Sequence, residues 1–503
     1  MSSLVIVYHR QPYEEEVVEG RVVYRENKSP NGIVPTLKGF FGQVRKGTWV
    51  AWKSAPQPGE ADFERRITIE DSYGTYDVAR LPLSREQISQ FYHITSKEAL
   101  WPILHSFPTM FNTERCDWQV FREVNRLFAE AACEEADDDA IIWVHDYNLW
   151  LVPHFVRQMR PNARVAFFHH TPFPSPDIFA ILPWRDEILD SLLACDLVGF
   201  HVPRYARNFA ATVEALRPGA EVANAPAPSV PGDKGTALTE PTTPTHVRVG
   251  ERRVMIDAFP IGTNPQLIHS HLATAKAKDT VAKIREEFSG QKLILSVGRV
   301  DYTKGTFEML ATFERLLERR PELIGKVKLM VTSVAAARGM QVYQEAQDKI
   351  EQAVGRINGR FGRLGWTPIV LSTRGMPFEE VVCYYRAADI CWVTPLRDGL
   401  NLVAKEYVAA HEGKDGVLVL SEFTGVAAEL HEAVLTNPYS LNIMDRAIDD
   451  ALAMPPEEQR QRMRALYERV ISCDIGHWTR HVMGSFRALD EAQDQAEPVR
   501  GAA

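Results

Sequence analysis

Three observations predict an α/β protein built from two mainly parallel sheets. The first is alternation: apolar runs of strand length (LVIVY, TWVAW, IIWV, RVAFF, LVGF, LILSV, KLMVTSV, PIVLS, ICWVT and GVLVLS) are separated by longer amphipathic segments. Strands covered by helices on both faces read as continuous apolar runs of this kind. The second is the set of polar residues just beyond the runs. Arg10 comes after the first, His145 and Asp146 after the third, His169 and His170 after the fourth, and His201 after the fifth, while Arg299, Arg338, Arg374, Asp398 and Glu422 come after later ones. Ligands of open α/β sheets bind at the carboxyl ends of strands, so the two sheets are expected to face one central cleft. The third is length, since 503 residues are too many for a single hydrophobic core.

Taken in order, residues 1–262 form the expected N-terminal domain, with a boundary at the FPIGTNP stretch from Phe259 to Pro265, where Pro, Gly and Asn interrupt the pattern. Inside it, the proline-rich segment 218–246 lacks an apolar period and reads as a mobile excursion rather than a core element. VRVGERRVMI reads as a hairpin turning at Gly250 and Glu251. Residues 263–470 form the second domain. A helical pattern runs from Glu457 to Leu489, and the tail 490–503 is polar and expected to fray.

Composition narrows the function classes. With 45% apolar residues and 57 basic against 66 acidic side chains, the formal charge of -9 gives no basic nucleic-acid footprint. Six cysteines without a CxxC pair argue against a zinc ribbon or a disulfide framework and fit a reducing compartment. The opening MSSLVIVYHR holds too short an apolar run for a signal-peptide core or a bilayer span, so a cytoplasmic chain is expected. The sequence leaves self-association open.

Two strand-to-helix junctions carry the chemistry of the second half. At TPLRDGLNLVAKE, from Thr394 to Glu406, a buried strand runs into a turn in which Asp398 and Gly399 are expected to open a helix. The amides of Leu400, Asn401 and Leu402 would then face outward as a seat for phosphate or sugar oxygens, with Glu406 on the flank shared with Leu402 and Val403. Ordinary capping by Asp398 is the alternative. At GRVDYTKG, Arg299 and Lys304 stand in the turn before a second helix. A guanidinium fork and an ammonium at a helix start suit a diphosphate whose charge grows as it leaves, and a solvated basic loop is the alternative.

Other candidates are weaker. Asp137, Asp138 and Asp139 have the spacing of an acidic metal pair but precede a strand, so a solvated helix end is favoured. His145, His169 and His170 could converge on a metal if their strands are neighbours, although no Cys or helical HxxxH completes a set. There is no GxGxxG, no GxxxxGK[ST] and no serine elbow. In FYHITSKEALWPILHSFP, Phe91, Trp101 and Phe107 read as core, while Tyr92 and Trp101 also carry polar handles.

Taken together, SPNGI, HDYN, HHTPFP, GRVDYTKG, GRINGRFGRLGWTP and TPLRDGLNLVAKEYVAA, in this order, closely resemble the retaining glycosyltransferases of the trehalose-6-phosphate synthase family, from about Leu4 to Trp478. The resemblance implies a GT-B fold of two Rossmann-like domains, with a C-terminal helix, 471–489, crossing back to the first. It implies transfer of glucose from a nucleotide-diphosphate sugar to a phosphorylated acceptor. Within the family the chain is most similar to the branch that joins ADP-glucose and sn-glycerol 3-phosphate into an osmolyte precursor. Asn31 and Gly32 stand where a typical trehalose-6-phosphate synthase has Gly-Gly, Asn148 where it has His, and Thr171 where it has an apolar residue.

By motif position, the resemblance places Arg299 and Lys304 on the donor diphosphate, Glu406 on the ribose, and Asp398 with the amides of Gly399, Leu400, Asn401, Leu402 and Val403 on the donor glucose and phosphate. Gly32 would lie by the diphosphate. Asp146 and His170 would lie against the transferred glucose and its reacting face, Asp146 also on the acceptor side. Arg10, Tyr92 and Arg338 would hold the acceptor phosphate. Asp146, His170, Arg299 and Lys304 are the expected catalytic set, with no cofactor and no metal. Glucose 6-phosphate as acceptor, and a non-catalytic sugar-phosphate sensor, are the competing readings.

Overall fold

The computed structural model describes residues 2–19, 21–26, 32–60, 62–227, 235–334 and 341–496. The chain divides into two compact units, one from the described residues of Met1–Ala227, Glu240–Pro260 and Trp478–Ala503, the other from those of Pro228–Thr239 and Ile261–His477.

The first unit carries a ten-stranded sheet. At its centre the strand Ser2–Val7 pairs in parallel with Gly47–Ser54 on one side and Ala136–His145 on the other. Val5 and Ile6 point to opposite faces and both are fully buried, because helices cover both sides. From this point the order runs outward in opposite directions: to Gly74–Leu83 and the antiparallel Arg66–Asp71 on one flank, to Arg164–His169 and Leu197–Phe200 on the other. The reversal places a topological switch point beside Val7 and His145, so the loops leaving those strands open at the position where such sheets bind ligands.

The proline-rich stretch differs from its sequence reading. Glu221–Pro226 and Thr242–Val249 pair antiparallel at the sheet's edge, and Thr242–Val249 continues through Gly250, at φ 58°, into Arg252–Ala258. Pro226 is tolerated on the edge strand, and Pro244 in the part of Thr242–Val249 that pairs on one side only, because neither position needs both rows of hydrogen bonds. Residues 228–234 of that stretch lie outside the described residues. A further element has no signal in the sequence pattern: the hairpin of Tyr13–Val18 with Arg21–Glu26, whose run of three glutamates conceals the strand.

The helix Ile475–Ala496 contributes Trp478, Val482 and Phe486 to the core of this first unit. The indole of Trp478 packs against Phe40, Trp143 and Phe168, and Asp257 Oδ2 pairs with His481 Nε2 at 2.7 Å.

The second unit carries six parallel strands in the order Ile369–Ser372, Val327–Val334, Lys292–Arg299, Ile390–Val393, Val417–Ser421, Val434–Thr436. Its core joins Ile294, Leu329, Trp392 and Val419 of the sheet to Leu310, Phe313 and Leu317 of the helix Thr306–Arg319. The order reverses between Lys292–Arg299 and Ile390–Val393. Both chemical junctions read from the sequence therefore leave neighbouring strands at a second switch point.

All ten apolar runs of the sequence are strands. Among the described residues, no helix is long and apolar enough to cross a membrane.

Candidate active site

In the second unit the two junctions are in direct contact. The helix Thr306–Arg319 starts at Gly305, whose φ of 63° suits glycine, and a Cβ there would meet the carbonyl oxygen of Thr394 at 2.0 Å. Leu396 donates its amide to Thr303 O at 2.8 Å, and Asp301 Oδ1 holds the same turn by accepting from the amide and hydroxyl of Thr303. Across this seam Lys304 Nζ donates to Asp398 Oδ2 at 2.7 Å. The sequence puts both cations in the turn, whereas Arg299 is the exposed last residue of its strand and Lys304 closes the short turn Tyr302–Lys304.

The helix expected to open at Asp398 starts four residues later. It spans Leu402–Ala410, and its cap is Asn401, at φ 88°, whose Oδ1 accepts from the Ala404 amide at 3.1 Å. Asp398 does not cap it. Its carboxylate is taken by Lys304 and by Asn401 Nδ2, and its backbone lies beside Thr424, with Gly425 donating to Asp398 O. Among the described residues nothing accepts from the amides of Gly399, Leu400 and Asn401, which precede the helix, followed by Leu402 and Val403 in its first turn. Glu406, one turn on, is buried and accepts from Tyr385 Oη at 3.0 Å. Burial, and next the Glu406 carboxylate, push the Tyr385 hydroxyl well above its ordinary range, so it remains a donor that fixes that carboxylate.

In the first unit, the loop after Val7 meets the helical segment Ser89–Leu100. Arg10 Nη2 donates to Tyr92 Oη at 3.3 Å, its carbonyl accepts from Trp49 Nε1, and the Tyr92 ring lies 5.4 Å from that of His9. Asp146 sits at φ 71°, a conformation L-residues rarely adopt, anchored by its amide on Phe168 O. The residue is 6% exposed, and its carboxylate accepts from the Tyr147 amide at 3.1 Å and, weakly, from Thr171 Oγ1 at 3.5 Å. Burial pushes its pKa up to about 6, against the pull of the Tyr147 amide and of Lys97.

His170 Nε2 lies 3.1 Å from His145 Nδ1, so one ring donates to the other, and burial holds both imidazoles well below their ordinary pKa and hence neutral. The three-histidine convergence is not formed. Successive residues at the strand end point to opposite sides, and His169 turns away, its Nδ1 near Thr171 O and its ring packed by Trp150, Phe173 and Phe200. Asp137, Asp138 and Asp139 are likewise not a helix end: they lie in the first residues of the strand Ala136–His145, with Asp138 on Arg160 at 2.7 Å. No group of three or more His, Cys, Asp or Glu among the described residues could hold a metal ion.

Gly32, at φ 123°, precedes the helix Ile33–Lys38, and its carbonyl accepts from Thr36 Oγ1 at 2.7 Å. Arg338 and Asn31 lie outside the described residues. Phe91 and Trp101 are buried and Phe107 is partly so. Three groups escape the sequence reading: Tyr385 behind Glu406, Asp301 behind the Lys304 turn, and Lys97. A signal for Lys97 is present, a lysine four residues before Trp101 on a helical stretch, where i and i+4 share a face.

Two parallel-sheet units, each with its polar loops gathered at a switch point, are the build of a GT-B glycosyltransferase, and comparison with known proteins agrees. The model of glycosyltransferase family 20 matches residues 2–488, and the chain belongs to that family. Glucosylglycerol-phosphate synthase from Synechocystis sp. is 54% identical over 96% of this chain and 97% of its own. Trehalose-6-phosphate synthase from Mycolicibacterium gilvum is 36% identical over 98% of this chain and 95% of its own. The solved structure "Trehalose-6-phosphate from E. coli bound with UDP-2-fluoro glucose" superposes with a TM-score of 0.82 at 30% identity, covering 96% of this chain and 98% of that one. The chain is thus a glycosyltransferase with the GT-B fold.

Proposed function

We propose that this enzyme transfers glucose from ADP-glucose to sn-glycerol 3-phosphate with retention of configuration, giving 2-O-(α-D-glucosyl)-sn-glycerol 3-phosphate and ADP in the synthesis of a cytoplasmic osmolyte. The observation that carries this reading is the gap between 54% identity to a glucosylglycerol-phosphate synthase and 36% to a trehalose-6-phosphate synthase, each over nearly the full chain.

In this mechanism the donor diphosphate lies on Arg299 and Lys304, with the amides from Gly399 to Val403 on the glucose and phosphate and Glu406 on the ribose. Arg10 and Tyr92 hold the acceptor phosphate. The bond from the glucose anomeric carbon to the diphosphate oxygen breaks first, through an oxocarbenium-like transition state. The acceptor hydroxyl then closes on the same face, and its proton passes to the departing phosphate oxygen. Charge grows on the leaving group, where the two cations act. Neutral His170 and the Asp146 carboxylate face the sugar. Donation from Lys304 to Asp398 is replaced in part by donation to phosphate, which couples donor arrival to the Asp398 loop.

The test crosses ADP-glucose and UDP-glucose with glycerol 3-phosphate and glucose 6-phosphate, reading nucleotide release and the anomeric configuration of the product by NMR. Preference for ADP-glucose with glycerol 3-phosphate and an α-linked product is expected. Preference for glucose 6-phosphate would make the chain a trehalose-6-phosphate synthase instead, and no nucleotide release with either acceptor would make it a sensor.

A further inference from the structure

Lys97 and Trp101 are not used by the mechanism above, yet in the first unit Lys97 is a second cation besides Arg10, and its field reaches Asp146. Residues Ser89–Leu100 form a π-helix, a wide turn that is rare and often found at functional sites. In it Ser96 Oγ reaches back to Phe91 O, five residues away, at 2.7 Å. The same winding brings Lys97 beside Tyr92, also five residues away, with its ammonium 5.8 Å from that ring and 3.9 Å from the Trp101 ring. Asn148 Nδ2 donates to Ser96 Oγ at 2.7 Å, clamping this helix to the loop that carries Asp146, and the Lys97 ammonium lies 5.9 Å from the Tyr147 ring. Three aromatic faces thus hold the charge in place.

We propose that Lys97 is a specificity-determining residue of the acceptor subsite: held between Tyr92 and Tyr147, its ammonium binds the phosphate of a short acceptor near Asp146 and so favours a three-carbon phosphate over a hexose phosphate. This rests on the acceptor assignment made above. Arg10 stands on the hydroxyl end of Tyr92, while Lys97 stands at the ring beside Tyr147, the residue next to Asp146. Its field reaches Asp146 and His9, both of whose titrations it shifts downward. In a hexose 6-phosphate the carbon bearing the phosphate is separated from the anomeric carbon by C5 and the ring oxygen. In glycerol 3-phosphate the phosphate and the reacting hydroxyl are on adjacent carbons, so the phosphate must come closer to the reacting end, where Lys97 adds its charge. Asn148 belongs to the same device, because its amide sets where Lys97 stands.

The experiment compares kcat and KM for glycerol 3-phosphate and glucose 6-phosphate in the wild type, Lys97→Met and Lys97→Arg, with ADP affinity by calorimetry as the measure of an intact donor unit. Lys97→Met keeps the stem against the aromatic rings and removes the charge. It should raise KM for glycerol 3-phosphate by about 10 to 100-fold with kcat within a few fold, the loss of one charged contact to phosphate. KM for glucose 6-phosphate should change by less than about twofold, and Lys97→Arg should recover most of the loss. An unchanged KM for glycerol 3-phosphate, or an equal rise for both acceptors, overturns the role of Lys97 while leaving the acceptor assignment standing. A wild type that prefers glucose 6-phosphate overturns both. Where Lys97→Met loses ADP affinity, Lys97→Gln is read by the same criteria.

Discussion

Lys304 and Asp398 lie 94 residues apart in sequence and 2.7 Å apart in the structure, at the seam where two strand-to-helix junctions lean on each other. The pair neutralises a cation that the proposed chemistry needs at full charge. Lys304→Ala should therefore lower turnover by about 10² to 10³. Removing it also strands a half-buried carboxylate, so Asp398 should lose order, and Asp398→Asn should cost less turnover than Lys304→Ala. Arg299→Ala, at an exposed strand end, should give a similar kinetic loss with stability within about 0.5 kcal/mol of the wild type. Turnover at saturating donor, together with a thermal melt, checks all three variants. Near-normal turnover in either cation variant removes that residue from the mechanism.

Gly305→Ala should be more damaging to the fold than either, although it removes no functional group. With φ at 63° and Thr394 O only 2.0 Å from where a Cβ would stand, there is no room for a methyl unless the two junctions part. A loss of more than about 2 kcal/mol is expected from overpacking combined with backbone strain. Because the second unit is of ordinary domain size, its melting temperature should fall by several degrees, about 2 to 4 °C per kcal/mol. An unshifted melt would mean that the seam is loose.

Asp146 sets a pH dependence. Burial raises its folded pKa to about 6 from an ordinary value near 4, so folding favours the protonated acid. That contribution is fully present below about pH 4 and is lost as the pH rises through about 6. The difference corresponds to about 3 kcal/mol, so Asp146→Asn should stabilise the chain at about pH 7 to 8 by up to that amount and change little at about pH 4. If the ionised carboxylate works in catalysis, kcat/KM should rise through an apparent pKa near 6 and lose that limb in Asp146→Asn. Lys97→Met, by removing a nearby positive charge, should move the limb upward. The neutral histidines His145 and His170 should add no limb between about pH 5 and 8.

Chelation is expected to leave turnover unchanged, since in the proposed mechanism Arg299 and Lys304 stabilise the leaving diphosphate as a metal would. Activity lost in EDTA and restored by a divalent ion would contradict this.

Arg10→Ala should weaken use of the phosphorylated acceptor by about 10 to 150-fold with little effect on donor affinity. The same variant should discriminate less between glycerol and its phosphate, which competition kinetics measures directly.

The strand pattern is legible because apolar runs such as LVIVY and ICWVT are buried on both faces and carry no competing signal. Gly74–Leu83 is not, because it alternates polar residues and carries Arg80, buried under Tyr13, Tyr24 and Glu15 by contacts from distant segments. The two strand-to-helix junctions of the second unit are legible as loops, but the sequence misplaces the cap: Asp398 has the better local credentials, yet its carboxylate is engaged by Lys304, from another junction, and by Asn401 Nδ2, and the cap falls to Asn401. His169 and His170 illustrate the same limit. Adjacent histidines after a strand look like one cluster, and only the pleat decides that one faces the site and the other the core. The meeting of Lys97 with Trp101 is legible at ordinary helical spacing, whereas its meeting with Tyr92 is not, since that depends on a turn of five residues.

Trp478 has an implication for the order of assembly. The first unit begins at the amino end, but its core is completed by Trp478, Val482 and Phe486, which pack from near the carboxyl end. During synthesis, that core lacks Trp478, Val482 and Phe486 while the second unit is still being made, and its apolar face must wait, shielded or exposed, until the helix Ile475–Ala496 has followed. Newly made chains should therefore depend on chaperones more than the stability of the finished enzyme suggests.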